Sequence, residues 1–394
     1  MKAHTFVHPG IKVNVNYLEK FVRRNLEVEP WKSASEKVLK DYLNRADTSW
    51  VPNPSSVVEC GAYSEPDRGC TDETRDGQAA YAQALLWVIK GDSAYAATAI
   101  RILDAWSVKL TGGHVGENAR LQASWAACLF TSAAEILAHT DSGWTSEGKA
   151  RFRVMLETQF QPIIEKLFYG DGWMWDTVPS NWRSTGIEAL FYIAIFTDNQ
   201  AVFARCIQLW KDHIVASIYL EIDGPRPKLL PNWTRVPTDE EVNQQWGNPY
   251  RYIEGMNVES CRDFAHAAYG LAATINVAET ALLQGIDLYT DEETQAMARM
   301  MQTMEFHSRY ENIALMPDIC RRYHGINLSA QWTFEIGYTH YAVRLGQHLP
   351  ETREFVHRHR PTQGDFHYMW ESLTHAYPRT GDDRIAKAPQ RQDR

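Results

Sequence analysis

The sequence lacks the features that mark several common classes of protein. Its 394 residues carry a formal net charge of −9, whereas general nucleic-acid binders are usually basic. No apolar run approaches the roughly 18 residues that cross a membrane, and no Gly-rich stretch has the form of a phosphate-binding loop. The six cysteines include no CxxC pair, which argues against a structural zinc motif. We therefore expect no nucleic acid, no membrane, and no metal or other cofactor.

The sequence does not decide three properties of the whole chain: its compartment, the state of its cysteines and its oligomeric state. The first thirteen residues lack the apolar segment of a signal peptide, which leaves a cytoplasmic protein or a secreted or periplasmic one whose leader has been removed. Six free thiols are the favoured interpretation of the cysteines, with a bridge between Cys60 and Cys70 as the alternative. The oligomeric state is not indicated.

Aromatic residues, in contrast, are abundant. They make up 12% of the chain, with 14 Trp and 18 Tyr, in a composition that is otherwise normal for a large globular core. Many of these rings can belong to the core. An excess of Trp and Tyr also suits a sugar-binding cleft, because aromatic faces stack on the apolar faces of pyranose rings.

Helical periodicity runs through almost the whole chain. Residues 76–106 indicate two helices joined by a Gly-Asp pair, since Gly ends a helix and Asp begins one. Residues 186–210 repeat this plan, and residues 122–139 and 264–289 predict further amphipathic helices. Recurrent hairpins of irregular period favour an α/α toroid over a scaffold solenoid. The predicted fold class is therefore all-α, an (α/α)n toroid or incomplete barrel.

Long loops interrupt the hairpins. Those at residues 112–117, 170–180 and 224–250 are rich in Gly, Pro, Asn and Trp and are predicted to cover a substrate cleft. No linker divides the chain, so residues 1–380 are predicted to form a single domain. The polar residues 381–394 are predicted to form a frayed tail.

The stretch VESCRDFAHAAYG, residues 258–270, places charged groups at helical spacing on one face. These groups are Glu259, Arg262, Asp263 and His266. A solvated face is the simplest explanation of such a pattern. A histidine that shares a face with an arginine and two acids is nevertheless a better candidate for binding or proton transfer.

The stretch SNWRSTGIEAL, residues 180–190, opens a second apolar helix. It brings together Asn181, Trp182 and Arg183. An asparagine at a helix start is most often an N-cap. The polar and aromatic neighbours favour a ligand contact as well, since an amide donor can hydrogen-bond a carboxylate.

A third cluster occupies WTFEIGYTHYAVRLG, residues 332–346. Tyr338 shares a face with Glu335, and His340 shares another with Arg344. A tyrosine here serves packing or, near an arginine or protonated histidine, proton transfer. The preceding basic loop, which is either solvated or in contact with substrate, contributes Arg321, Arg322 and Tyr323.

The ordered set HPGI, AAYAQALLW, NWRSTGIEA, ESCRDFAHA and FEIGYTHY resembles the alginate lyase superfamily of α/α-toroid polysaccharide lyases. It is most similar to the branch of polymannuronate and glucuronan lyases, from about residue 8 to residue 346. The better-known alginate lyases carry an Asn-Asn-His motif, and Trp182 stands here in place of its histidine. The resemblance therefore transfers the role of that histidine to His266.

This resemblance implies cofactor-free β-elimination on an anionic uronic-acid polysaccharide, polymannuronate or glucuronan. In these β-linked sugars the C5 hydrogen and the C4 oxygen lie on the same side, so one tyrosine, Tyr338, would serve as base and then as acid. Asn181, His266 and Arg262 would neutralise the uronate carboxylate. The predicted substrate contacts are Trp182, Arg183, Glu259, Arg321, Arg322, Tyr323 and His340.

Two other functions remain as alternatives. A glycoside hydrolase on the same fold needs two carboxylates, which Glu259 or Asp263 with Glu335 or Asp76 could supply. A non-catalytic helical-repeat binding module would also suit the repeated hairpins. The products distinguish the three, because a lyase forms an ultraviolet-absorbing double bond, a hydrolase only reducing ends, and a binding module neither.

Overall fold

The computed structural model describes residues 4–168, 179–231, 238–312, 319–320, 334–362, 366 and 368–377, and this part of the chain is mostly helical. Its α-helices are α1 (Val15–Lys20), α2 (Trp31–Leu39), α3 (Cys70–Lys90), α4 (Ser93–Lys109), α5 (Ala119–Ala138), α6 (Ser146–Met155), α7 (Gln161–Glu165), α8 (Asn181–Phe196), α9 (Gln200–Ser217), α10 (Asp239–Gln245), α11 (Phe264–Leu283), α12 (Ala296–Tyr310), α13 (Glu335–Tyr338), α14 (Pro350–His359) and α15 (Glu371–His375). One small sheet has the order β2-β1-β3, with β1 antiparallel to β2 and parallel to β3. Its strands are β1 (Val58–Cys60), β2 (Asp67–Arg68) and β3 (His114–Val115).

The helices form two layers. Helices α3, α5, α8 and α11 pack side by side in chain order, and each is buried along most of its length. Helices α4 and α9 pack outside α3 and α8, where they bury one face, and α6 and α12 continue this outer layer. Helices α13 and α15 extend the inner ring from α11 to α2, and a 3₁₀ turn at Val22–Asn25 leads back to α3. The predicted all-α toroid is confirmed.

Local sequence explains where the hairpins turn. Gly91 ends α3 in the left-handed region at φ 75°, and Asp92 begins α4 by accepting a hydrogen bond from the Ala94 backbone N at 2.9 Å. Asn199 begins α9 in the same way, accepting from the Val202 backbone N at 3.1 Å. These caps satisfy backbone groups that a helix end leaves open. Both predicted hairpins are therefore confirmed.

Helix α5 lies in the inner layer between α3 and α8. Among the described residues it alone is long and apolar enough, by length and composition, to cross a membrane. Of its most apolar window, 94% is buried inside the fold. A core helix of a large domain has this same composition, because it is apolar on every side.

The expectation of six free thiols is wrong for four of the cysteines. Cys60 bonds to Cys70, which joins β1 to the start of α3, and Cys261 bonds to Cys320. The second pair has no signal in the sequence, because 59 positions separate its members and only the fold brings them together. The two free thiols, both buried, are Cys128 and Cys206.

Replacing Cys261 and Cys320 together by serine should lower the free energy of unfolding by about 4 kcal/mol, because the bond closes a long loop in the unfolded chain. The matched variant replaces Cys60 and Cys70, whose shorter loop predicts a loss of about 3 kcal/mol. Denaturant unfolding measures both losses. Thiol titration of the denatured, unreduced protein should find two groups. Six reactive thiols would contradict both bonds.

Candidate active site

The predicted charged cluster lies where the N-termini of two inner helices meet. Helix α8 begins at Asn181 and α11 at Phe264, and the two helices pack against each other. Gly270 faces this start of α8, since a Cβ atom at position 270 would lie 3.4 Å from the Asn181 Cα. The missing side chain allows the close approach. Helix N-termini carry partial positive charge, so their convergence favours an anionic ligand.

Glu259 is the buried centre of the cluster. Its carboxylate accepts hydrogen bonds from the Asn181 side-chain Nδ2 at 2.9 and 3.0 Å and from the Asn181 backbone N at 2.8 Å. Arg262 Nη1 donates to the same carboxylate at 3.1 Å. Burial raises the pKa of Glu259, although the Arg262 charge and the Asn181 hydrogen bonds act against this. Glu259 thus orients its two neighbours and does not face an open cleft.

Asn181 differs from its expected role as an N-cap. It is the first residue of α8, with Ser180 at the cap position, and its side chain turns to Glu259. Only 1% of Asn181 is exposed. The amide nitrogen of Asn181 is therefore engaged by the Glu259 carboxylate.

His266 is held from both sides of its ring. Its Nδ1 lies 2.7 and 2.8 Å from the Asp263 carboxylate oxygens, and its Nε2 lies 2.9 Å from Arg262 Nη2. Because arginine only donates, this pattern assigns Nδ1–H as the donor to Asp263 and Nε2 as the acceptor. Of the side chains, 33% of His266 and 44% of Arg262 are exposed. Both groups therefore reach the accessible side of the cluster.

Asp263 connects this arrangement to the fold. Its carboxylate accepts from the His266 backbone N at 2.7 Å and so caps the N-terminus of α11. Burial alone would raise the pKa of Asp263, but the hydrogen bonds from the His266 ring and backbone N–H and the charge of Arg262 bring it below its usual range. Asp263 therefore stays ionised and holds the imidazole in one orientation.

Sequence reasoning misses Tyr269, although it belongs to the same face. Its ring centroid lies 5.7 Å from that of His266, edge to face, and the side chain is half-buried. Tyr269 follows His266 by three positions and Arg262 by seven. This is the spacing that singled out the other members, so the signal was present in the sequence.

An aromatic wall surrounds Tyr269. We define it as Trp125, Phe366 and Tyr368, whose ring centroids lie 6.4, 5.6 and 5.6 Å from that of Tyr269. Phe366 also stacks on Trp125 at 4.3 Å. A wall of rings beside a charged cluster is the arrangement that suits a sugar ring carrying a carboxylate.

Two predicted substrate contacts next to Asn181 are less accessible than expected. Trp182 is half-buried and packs against the core. Arg183 is buried, with its guanidinium carbon 4.9 Å from the Phe168 ring centroid. Arg183 therefore packs into the fold, which corrects its predicted position at a substrate surface.

Tyr338 lies in another part of the ring. It is buried, and its ring centroid lies 6.0 Å from that of His357 on α14. A Cβ on the adjacent Gly337 would contact Ile275, roughly two and a half turns along α11 from His266. Burial also raises the pKa of Tyr338, which opposes its use as a base. Among the described contacts, none joins Tyr338 to the cluster.

His340 is a packed core residue, which corrects its predicted role as a substrate contact. It is buried and stacks on Tyr289 with ring centroids 3.7 Å apart. Burial lowers the pKa of His340 to about 4, so the ring is neutral at physiological pH. The other predicted contacts of this region lie outside the described residues; they are Arg321, Arg322 and Tyr323.

The carboxylates that a hydrolase would need have structural partners instead. Asp76 accepts hydrogen bonds from the indole nitrogens of Trp50 and Trp106, each at 2.7 Å. Glu335 is buried and accepts from Arg360 Nε at 2.8 Å. Neither Asp76 nor Glu335 is therefore free to act with Glu259 or Asp263 as the second catalytic carboxylate of a hydrolase.

Metal-binding potential lies away from this cluster. Among the described residues, one group of histidine, cysteine or acidic side chains is close enough to hold an ion, and it consists of His8, Glu135 and His139. Glu135 and His139 lie at the C-terminal end of α5, whereas the cluster lies at the N-terminal ends of α8 and α11. The expectation of metal-free chemistry at the cluster stays a prediction.

Comparison with known families identifies the chain. A family model described as alginate lyase matches residues 32–310, well over half of the sequence. The chain belongs to the alginate lyase family. It is therefore a polysaccharide lyase, and the hydrolase and binding-module alternatives are set aside. No curated protein matches the chain.

Solved structures share the fold of this alginate lyase family member at low sequence identity. Alginate lyase A1-III from Sphingomonas species A1 is 16% identical, with a TM-score of 0.59, over 94% of this chain and 96% of that one. A histidine-to-alanine variant of A1-III complexed with a tetrasaccharide gives 16% identity and a TM-score of 0.60 over the same shares. An alginate lyase from Bacteroides ovatus is 13% identical, with a TM-score of 0.61, over 94% of this chain and 100% of that one.

Proposed function

We propose that this alginate lyase family member cleaves a β-1,4-linked polyuronate, polymannuronate or glucuronan, by syn β-elimination. One observation carries the proposal: Arg262, His266 and Tyr269 converge on one accessible face beside the aromatic wall. A cation, an imidazole and a phenol at that spacing provide the groups that the reaction requires. The solved complexes of alginate lyase A1-III with a tetrasaccharide add support from a protein of the same fold.

The first requirement is to reduce the negative charge of the uronate carboxylate. The C5 proton is only weakly acidic while that carboxylate keeps its charge, because removing the proton places further charge on the same group. Arg262 supplies a permanent positive charge on the exposed side of the cluster, and the N-termini of α8 and α11 add partial positive charge. His266 lies beside Arg262, and once Arg262 turns from the imidazole to the substrate, a proton on Nε2 lets the ring donate to the carboxylate as well.

The second requirement is a base that becomes an acid. We assign both roles to Tyr269, in place of Tyr338, because Tyr269 lies against His266 on the accessible face. The Tyr269 phenolate takes the C5 proton, and the electrons of the C5–H bond form the C4–C5 double bond. The C4–O4 bond breaks, and the Tyr269 phenol returns its proton to the leaving oxygen. No water is consumed, and the phenolate is restored.

The third requirement is rigidity of the reacting groups. Glu259 and Asn181 serve it from behind the cluster, and Asp263 fixes the His266 ring through its capping carboxylate. These three are positioning residues, because each reaches the substrate only through Arg262 or His266. The charged groups need little reorganisation during the reaction when the fold already holds them in place beforehand.

The test is the ultraviolet absorbance of the new 4,5-unsaturated end during incubation with polymannuronate, polyguluronate and glucuronan. Syn elimination with one tyrosine predicts a rise on polymannuronate or glucuronan and none on polyguluronate, whose C5 hydrogen and C4 oxygen lie on opposite sides. Reducing-end formation is followed in parallel. A rise on polyguluronate alone would contradict the stereochemistry, and reducing ends without absorbance would contradict elimination.

A further inference from the structure

A second cluster of titratable groups lies at the opposite end of the inner helices. His8 Nδ1 lies 2.7 Å from Glu135 Oε1, and the ring of His8 stacks on that of His139 at 4.3 Å. Glu135 lies in the last turn of α5, and His139 is the residue that ends this helix. One ligand atom from each of the three residues lies within 4.8 Å of the others.

The neighbours of Glu135 satisfy only one of its two carboxylate oxygens with hydrogen bonds. Only 1% of its side chain is exposed, and Oε1 accepts from His8 and from the Gly10 backbone N at 3.0 Å. Its other oxygen, Oε2, is buried and has no hydrogen-bond partner among the described residues. This oxygen points toward His139, whose Nε2 lies 3.7 Å away. A buried carboxylate oxygen without a donor is costly, so a ligand that satisfies it is favoured.

The electrostatics of this end of the fold favour a cation. Helix C-termini carry partial negative charge, and α5 ends beside the cluster. Asp198, just beyond the end of α8, lies with its Oδ1 3.1 Å from His8 Nε2. The cluster thus combines two imidazoles, a buried carboxylate and a nearby exposed carboxylate.

The cluster also anchors the beginning of the described chain. We call residues 4–13 the N-terminal strap. Gln284, which ends α11, donates from its side chain to the backbone oxygens of Val7 and Gly10 at 2.8 and 2.9 Å. The strap therefore crosses the C-terminal ends of α5 and α11, and His8 is its contact to α5.

We propose that His8, Glu135 and His139 bind one zinc ion, which ties the N-terminal strap to the end of α5. Two imidazoles and one carboxylate are a ligand set that zinc accepts, with a fourth position left for water or Asp198. Zinc–nitrogen bonds of about 2.0–2.1 Å require the stacked rings to rotate until both nitrogens point at the ion. His139 has room for this rotation, because 34% of its side chain is exposed.

The test is zinc titration of the full chain, freed of tags and treated with chelator, in competition with a chromophoric chelator at mildly alkaline pH. We expect one zinc per chain. His139→Ala should weaken binding at least a hundredfold, since loss of a merely supporting contact already costs about 10–100-fold. His139 makes no described hydrogen bond, so this variant should remain folded. His348→Ala, at an exposed histidine outside the cluster, is the matched control and should bind like the parent.

Thermal stability with zinc and the visible spectrum with cobalt test the same proposal independently. Zinc should raise the melting temperature of the parent and of His348→Ala and leave that of His139→Ala unchanged. Cobalt in place of zinc should give visible bands without sulfur-to-metal charge transfer, because no thiol belongs to the site. Failure of the parent to bind zinc, equal binding by His139→Ala, or a cobalt–thiolate band would each overturn the proposal.

Discussion

Replacing Tyr269 by phenylalanine should lower the rate of elimination by about 10²–10⁴-fold, the usual contribution of a positioned proton-transfer group. The phenol hydroxyl is the only group removed, so the contacts of the ring with His266 and the aromatic wall persist. Binding of the polymer should therefore change little, and the loss should appear in kcat. Initial rates of ultraviolet absorbance, with polymer affinity measured separately, separate the two effects.

Tyr338→Phe is the comparison that decides between the two tyrosines. Tyr338 is buried beside His357 and has no described contact with Arg262 or His266. We expect its variant to retain most of the activity. If Tyr338→Phe loses the activity and Tyr269→Phe keeps it, the assignment of the base to Tyr269 is wrong, and the resemblance-based prediction is restored.

Replacing His266 by alanine should reduce kcat by about 10²–10³-fold, as expected when one donor to a developing charge is removed. The fold should tolerate the change, because the N-cap of α11 depends on the backbone N of residue 266 and not on the imidazole. Arg262 then remains as the positive group nearest the substrate carboxylate. Steady-state kinetics at several polymer concentrations measures kcat and KM separately.

The control for this variant is its stability, followed by thermal unfolding and compared with His348→Ala at an exposed position. An unchanged melting temperature together with a low kcat supports a role in the reaction. A large loss of stability with proportionate loss of activity would assign His266 to the fold. Full activity in a folded His266→Ala protein would remove the residue from the mechanism.

The hairpins were predictable because their signals are local. Gly91 and Asp92 mark one turn within two adjacent positions, and Asn199 marks another. Helical spacing likewise predicted that Arg262 and His266 lie close together, although α11 begins only at Phe264. The same spacing, extended by three positions, reaches Tyr269, so the sequence contains the local signal for this residue as well.

Long-range pairings could not be predicted. Asn181 and Glu259 are 78 positions apart, and His8 and Glu135 are 127 apart, so no spacing rule joins them. The burial of His340 could not be predicted from the sequence either. Its helical position fitted an exposed face, but the toroid covers that face with Tyr289. Tertiary packing determines these contacts and the burial of His340, because it decides which polar helix faces are enclosed by the ring of helices.

The two cross-links within the described chain bear on where this protein can be produced. Disulfides form and persist in oxidising compartments and are rare in a reducing cytosol. Cys261 is the immediate neighbour of Arg262, so production under reducing conditions would leave the segment that carries Arg262 without its covalent tie to Cys320. A host that exports the chain into an oxidising space should therefore yield a more active preparation than cytosolic expression.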